Sequence, residues 1–389
     1  MQLEQTPTPT PTVGDLEAAT ITETEERISV APQWQLMWWR FRKHKLALIS
    51  TGLVVLFYLV VAFADFLAYA DPSASEAQRS LIAPQAMHLF DDGRLSPYVE
   101  GLVGTRDLVT FKRVYVADPS IKVPLTFFAQ GFKYKLFGFI PLDRHLLGVA
   151  GDESNTPENS LFILGTDDQG RDQWSRLMYA TQVSLLIGLV SVVMSLVLGV
   201  LLGGLSGYIG GTTDTVIQRV IEILRSIPTI PLWMGLAASV PRDWDIVRVF
   251  FVMTLIFSLF SWTELARVVR GRFLSLRHED FVTAAELVGC SRLRIIFRHL
   301  VPSFMSHIIA ATTLALPAII IFETSLSFLG LGMRPPGLSW GVMLQAASNV
   351  QTAAVSPWLL LPAVPVTVAI LAFNFLGDGL RDAADPYGV

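Results

Sequence analysis

The sequence predicts an all-α polytopic membrane protein: six transmembrane helices, with a small β-rich extracytoplasmic insert between the first and second spans. Three observations predict it. The 389 residues are 52% hydrophobic and only 16% charged, whereas soluble domains carry about a quarter charged residues. The apolar residues gather in runs of ~20, the length that crosses a hydrocarbon core about 30 Å thick. The basic residues gather before the first run and after the fourth, which marks those ends as cytoplasmic. The net charge of −4 is small, and nothing points to nucleic-acid binding. The single Cys290 excludes an internal disulfide and reads as a small residue in a turn.

Taken in order, residues 1–33 are Pro/Thr-rich and then acidic (Glu23, Glu25, Glu26), a composition expected to remain a disordered cytoplasmic tail. They lack the basic-then-apolar order of a cleavable signal peptide. Residues 34–70 are expected to form an interfacial helix and the first span. Trp34, Trp38 and Trp39, with Arg40, Arg42, Lys43 and Lys45, are anchors beside lipid headgroups, and Leu46–Ala64 is the span. Residues 71–164 are too polar for the bilayer and form the insert. Phe90–Leu95, with Asp92-Gly93 at its centre, reads as a hairpin turn; Phe111–Val116 and Lys133–Phe139 read as strands. The insert is expected either to contact a partner arriving from outside or to act as a stabilising lid.

Residues 165–389 are expected to hold five more spans. Leu164–Arg176 predicts a turn into a capped helix, with Asp residues near its positive N-terminal end. In Val183–Leu205, Gly188, Ser191, Ser195, Gly199, Gly203 and Gly204 put small residues on one side and permit close helix contact. Val216–Ala238 is interrupted by Pro228 and Pro231 and carries Glu222 and Arg225, three residues apart and able to pair. Val247–Leu265 is followed by Arg267, Arg270, Arg272 and Arg277. Met305–Leu329 contains Glu323 near its outer end, placed to be hydrated or to touch substrate or a neighbouring helix. Trp358–Leu376 is expected to kink at Pro362 and Pro365. Six spans return the C-terminus to the cytoplasm.

The stretch Glu279–Pro302 stands between the fourth and fifth spans, at the C-terminal end of the basic loop 271–302. Ala284, Ala285 and Val288 lie at helical spacing. Gly289 supplies a turn that a residue with a Cβ resists. Ser291 is placed to cap a second helix with Leu293, Ile296, Phe297 and Leu300 as its apolar stripe. Pro302 ends that helix or opens the next. This helix–turn–helix bracket is shaped to plug into a soluble partner.

Ala284-Ala285, three residues, Gly289, then a basic helix ending at Pro302 resembles the EAA loop of permease subunits in bacterial binding-protein-dependent ABC importers. Thr283 stands where that loop has Glu, and His299 and Val301 where it has Ile and Leu. Arg298–Ser303 resembles the dipeptide/oligopeptide/nickel branch, the C-type permeases. So do Leu164–Arg176 (LGTDxxGRDxxSR), Glu323–Gly332, Trp340–Leu344 and Gly377–Pro386 (GDxLRDxxDP). The resemblance spans residues 36–70 and 164–389 and implies the type I importer fold. It implies that Thr283, Ala284, Ala285, Glu286, Gly289, Ser291, Arg294 and Pro302 couple to an ATPase. It leaves Glu222, Arg225, Glu323 and Asp172 as candidates for the translocation pathway or gate. The implied partners are a homologous second permease, two ATP-binding subunits that hold ATP and Mg, an extracytoplasmic solute-binding protein and membrane lipids. The implied location is the bacterial plasma (inner) membrane, with both termini cytoplasmic. The implied substrates are di- or oligopeptides, with oligosaccharides, opines or nickel as alternatives. A gradient-driven secondary transporter is a more remote alternative.

Catalytic motifs are missing. Gly210–Thr215 (GGTTDT) lacks the Gly-Lys-Ser/Thr that cradles phosphate, so no cofactor is expected in this chain, which reads as a non-catalytic subunit. No HExxH, Cys/His cluster or G-x-S-x-G occurs. Asp167, Asp168 and Asp172 do not make a calcium loop, because its twelfth position would be Met178 rather than Glu. No metal site is expected.

Overall fold

The structure is a computed structural model and describes residues 33–91, 94–106, 113–149 and 160–384. The expected tail, Asp92-Gly93, Phe111-Lys112 and Asp385-Pro386 lie outside the described residues.

A short amphipathic helix, α1 (Gln33–Phe41), exposes Trp34 and Trp38 and buries Met37 and Phe41, one helical turn apart. The chain then turns at His44, whose Nδ1 accepts from the Ala47 amide at 3.1 Å and caps the first span, α2 (Lys45–Ala62). The span stops at Ala62, two residues short of the expected end, because Phe63 leaves helical geometry before the single turn α3 (Ala64–Leu67).

The second span, α4 (Gln173–Ile209), is 37 residues long, about 55 Å at 1.5 Å per residue. It begins ten residues before the expected Val183 and absorbs part of the Leu164–Arg176 string. Its small residues Gly188, Ser191, Ser195, Gly199, Gly203 and Gly204 are all buried. They lie against α7 (Ile246–Leu276) and its neighbours: a Cβ on Gly203 would lie 2.5 Å from the Ala266 carbonyl oxygen, and one on Gly207 2.7 Å from that of Arg270. The two helices therefore touch backbone to backbone.

The expected third span divides. Helices α5 (Gly211–Ser226) and α6 (Thr229–Ala238) meet at 83°. The cause is Pro228, which drives Ile227 out of helical geometry (φ −89°, ψ 130°) and has no amide to donate. Pro231 falls in the first turn of α6, where proline is tolerated. Among the described residues, five helices are long and apolar enough to span, six if the bent pair crosses as one. Helix α7 also runs through Arg267, Arg270 and Arg272, which the sequence placed in a loop. Arg270 clasps Asp214 of α5 through two bonds, Nε to Oδ1 at 2.6 Å and Nη2 to Oδ2 at 2.7 Å, while Ser206 of α4 donates to the same carboxylate. That fork joins the ends of three helices.

After the bracket described below, α10 (Met305–Phe328) is the next span. The short helices α11 (Trp340–Gln345) and α12 (Val350–Val355) follow, and α13 (Ala363–Ala384) completes the bundle. Pro362 precedes α13 and Pro365 lies in its first turn, so neither kinks it, and Gly377–Ala384 continues the last helix. Trp340, Phe257 and Phe373 are fully buried at the bundle centre.

The insert is an antiparallel meander in the order β1 (Met87–Asp91), β2 (Arg94–Arg106), β3 (Arg113–Leu136), β4 (Ile140–Val149). Asp91 pairs with Arg94, which puts the first hairpin where the sequence read it. Strand β3 first pairs with β2 and, from Leu125 onward, with β4. The stretch Lys133–Phe139 is not one strand: β3 ends at Leu136, and Phe137 and Gly138, at φ 53° and 81°, make the turn into β4. The buried ring of His145 lies between the insert and α3, the turn after the first span, with Nδ1 3.0 Å from the Asp65 carbonyl oxygen and Nε2 3.0 Å from that of Phe132.

Candidate coupling and translocation sites

The bracket begins with α8 (Asp280–Leu287) and closes on a left-handed turn. Gly289 sits at φ 81°; its amide donates to the Glu286 carbonyl at 2.9 Å, and the Cys290 amide donates to that of Ala285 at 3.0 Å. This pair of bonds is the Schellman stop. A Cβ on Gly289 would meet nothing within 4 Å, so backbone conformation rather than space requires glycine there. The second half departs from expectation. Ser291 occupies the cap position of α9 (Arg292–Ile295), but its side chain makes no capping bond. A π turn over Ile296–Leu300 interrupts the helix, and Val301–Ser303 resumes it with Pro302 at its start. The widened turn breaks the regular stripe: Ile295, Ile296 and Leu300 are buried, whereas Leu293 and Phe297 are exposed.

The buried side chains of the bracket, Val282 and Ala285 among them, join one apolar cluster with Val269 and Phe273 of α7 and Val200 of α4. Tyr208 of α4 also donates to Glu286. The opposite face of the bracket is open. Thr283, Ala284, Ser291 and Arg294 are exposed, and Leu287 and Val288 at the tip are 84% and 83% exposed. The site thus has a rigid root in two spans and a bare apolar tip.

The expected Glu222–Arg225 pair does not form. Glu222 accepts from Arg219 at 2.9 Å, and Arg225 reaches across to Glu264 of α7 at 2.5 Å. The 83° break lays α5 against α7, which brings Glu264 to Arg225 while Glu222 points to solvent with its i−3 neighbour. Arg225 and Glu264 stand at a cavity of about 390 Å³ walled by Thr229, Trp233, Phe260 and Phe322. Trp233 and Phe322 meet edge to face at 4.2 Å. Sequence reading missed Glu264 and Trp233; an acid inside the apolar run Phe257–Leu265 was the available signal for the first.

Glu323 is 1% exposed. It accepts from Ser184 of α4 at 3.0 Å and from Ser327 at 2.8 Å, and Ser184 in turn accepts from the Trp340 amide. It binds neighbouring helices together and does not line the cavity beside Arg225. Glu323→Ala, which strands both hydroxyls, is expected to cost about 1–3 kcal/mol of stability, with Glu323→Gln closer to native. Thermal unfolding of the purified protein measures both.

Asp172 does not stand free at a gate. It is buried, caps α4 by accepting from the Ser175 amide at 2.7 Å, and accepts from the Tyr69 hydroxyl at 2.6 Å. Asp167 accepts from the Gln169 and Arg171 amides, each at 2.9 Å, and from the Arg171 guanidinium. These carboxylates are engaged by protein donors, and among the described residues no group of three or more His, Cys, Asp or Glu could hold a metal. Burial pushes the Asp172 carboxyl up to about 6 against the opposing pull of its hydrogen bonds. A folded value above the unfolded one means the native state binds the extra proton first. The cost of burying the charge, full above pH ~6, is therefore relieved as pH falls from about 6 toward 4. Between pH 7 and 5 the native protein should gain about 1 kcal/mol relative to Asp172→Asn, read as a difference in unfolding midpoints.

The family model described as "Binding-protein-dependent transport system inner membrane component" matches residues 195–387, and that for the N-terminal TM domain of oligopeptide transport permease C matches residues 32–84. The oligopeptide transport system permease protein OppC of Escherichia coli (strain K12) is 43% identical over 60% of this chain and 75% of its own length. OppC of Bacillus subtilis (strain 168) is 36% identical over 60% and 74%. The dipeptide transport system permease protein DppC of the same strain is 36% identical over 60% and 71%. A solved structure titled as inward facing conformations of the MetNI methionine ABC transporter aligns over 53% of this chain and 95% of that one, with 19% identity and a TM-score of 0.41, too weak a likeness to bear on the site. With several apolar helices long enough to span and a root-and-tip bracket between two of them, the chain belongs to the family of binding-protein-dependent transport system inner membrane components, the non-catalytic multi-pass permeases of ABC importers.

Proposed function

We propose that this chain moves di- or oligopeptides across the bacterial inner membrane as one of two permeases in an ATP-driven importer. The carrying observation is the bare Leu287-Val288 tip on a bracket rooted in α4 and α7. Two partner ATPase subunits hold ATP and Mg, and their closure moves the tip. Because the root of the bracket shares a packed cluster with both spans, and packed cores switch between discrete arrangements, that movement tilts α4 and α7 and opens or closes the cavity beside Arg225 and Glu264. A solute-binding protein delivers the substrate from outside. Both termini lie in the cytoplasm, in keeping with the basic flank of α2 and the arginines of α7. The peptide class rests on the names of the relatives, OppC and DppC.

The test is ATPase activity of the reconstituted complex with its binding protein loaded by a peptide pool or by an oligosaccharide pool. Stimulation by peptides alone supports the reading. Stimulation by sugars alone overturns the substrate, and transport that survives ATP depletion but not a proton uncoupler overturns the energy source. Arg225→Gln and Glu264→Gln are each expected to lower peptide transport several-fold. They should change stability by less than about 1 kcal/mol, because an exposed ion pair contributes little. Uptake and unfolding assays on the same preparations separate the two effects.

A further inference from the structure

The turn between β3 and β4 exposes Phe137, Phe139 and Ile140, and it lies against the end of the first span. Phe137 meets Phe63, the residue at which α2 stops, with ring centroids 6.0 Å apart; Phe128 meets Phe66 of α3 at 5.9 Å. Phe139, 73% exposed, and Ile140 extend the patch outward. Phe128 and Phe137 hold φ of 58° and 53°, a backbone region that bulky residues avoid, so the fold maintains an unfavourable conformation at both aromatics that meet the span. His145, wedged between the Asp65 and Phe132 carbonyls, fixes β4 at the same level.

On the span itself Leu56, Leu59 and Phe63 are exposed along one face, so an uncovered apolar surface continues from α2 onto the hairpin. Residues 131–142 contain Lys133 and Lys135 and no Asp or Glu, and both lysines are exposed. Aromatic and aliphatic side chains at the end of a span, with Lys133 and Lys135 beside them and the nearest acid of the hairpin, Asp143, engaged by Gln130 at 3.1 Å, match the boundary between acyl chains and anionic headgroups. We propose that the β3–β4 hairpin is a membrane anchor: Phe137, Phe139 and Ile140 insert into the lipid leaflet beside the outer end of α2, with Lys133 and Lys135 at the phosphates. The insert would then be held to the bilayer as well as to the bundle, fixing its height above the membrane.

The single native cysteine makes the test direct. In a Cys290→Ser background, Phe139→Cys is spin-labelled and the assembled transporter is reconstituted into vesicles of phosphatidylcholine and phosphatidylglycerol. Collision with oxygen, which partitions into lipid, is compared with collision with a water-soluble nickel chelate. Leu56→Cys serves as the lipid reference and Ser120→Cys as the water reference. The expected result is an oxygen-to-nickel ratio at Phe139→Cys roughly threefold or more above that at Ser120→Cys, approaching that at Leu56→Cys. A ratio equal to the water reference, or loss of both collisions together because protein covers the site, overturns the proposal. Ile140→Cys provides a second reading should Phe139→Cys fail to assemble. Peptide-stimulated ATPase of the labelled complex is scored separately, so failure of the anchor is distinguishable from failure of the transport reading.

Discussion

Replacing both Leu287 and Val288 by Asp is expected to abolish co-assembly with the ATPase subunits, and with it transport, while the permease itself inserts and folds. The two side chains are almost wholly exposed, so the isolated chain loses nothing when they change. Complete burial of each in a partner groove would contribute about 1.5–3 kcal/mol. Losing both removes ~3–6 kcal/mol, or about two to four orders of magnitude in affinity, before the cost of confronting an apolar groove with two carboxylates. Co-purification of the ATPase with the tagged permease is the measurement, with unchanged thermal unfolding of the permease alone as the control. Retention of the ATPase at wild-type level would show that docking lies elsewhere. Gly289→Ala tests the same site more gently: the alanine has room but must hold φ 81°, at a cost of roughly 1–2 kcal/mol, enough to fray the turn that positions the tip.

The second large effect is expected inside the bundle. Gly203→Val should eliminate folded, detergent-stable protein. The new Cβ would lie 2.5 Å from the Ala266 carbonyl oxygen and 2.8 Å from its Cα. Both atoms are backbone and cannot rotate away, so α4 and α7 must part. Because Gly207 meets α7 at backbone as well, where a Cβ would lie 2.7 Å from the Arg270 carbonyl oxygen, and Gly199 packs against the Leu265 side chain, separation at one contact loosens the others, and the penalty exceeds the ~1–3 kcal/mol of ordinary overpacking. Gly271→Ala on α7 is the matched control. Nothing lies within 4 Å of its added methyl, and replacing a mid-helix glycine should stabilise by about 0.5–1 kcal/mol. Monodisperse yield on size-exclusion chromatography distinguishes the two, and a normal yield for Gly203→Val would refute backbone contact at that point.

Legibility in the sequence followed the range of the interactions. The apolar runs, the turn into a capped helix within Leu164–Arg176, the left-handed turn at Gly289 and the hairpin across Asp91 and Arg94 depend on residues close in the chain, and all can be read from the string. The small residues of α4 were legible as a contact face, although not which helix they would meet. The break in the third span was legible at Pro228 and Pro231, but its angle was not, because a proline signals a break without setting its direction. The pairing of Arg225 failed for the same reason: its nearest acid in sequence, Glu222, was preferred, and the one it meets lies 39 residues away on another helix.

Glu323 shows the limit most clearly. Composition marks a carboxylate in an apolar helix as notable, but whether it faces water, substrate or protein depends on what the other helices bring to it. Ser184 and Trp340, 139 residues before it and 17 after it, make it a structural node. By itself the sequence determined the membrane class, the order of the spans, the helix–turn–helix bracket and its family, because hydropathy, backbone chirality and capping act over a few residues. Only the tertiary structure decided the 83° bend, the partners of Glu222, Arg225 and Glu323, the bare tip of the bracket and the aromatic hairpin against the end of the first span. These are set by which surfaces are buried against one another, and burial is a property of the packed bundle rather than of any stretch of chain.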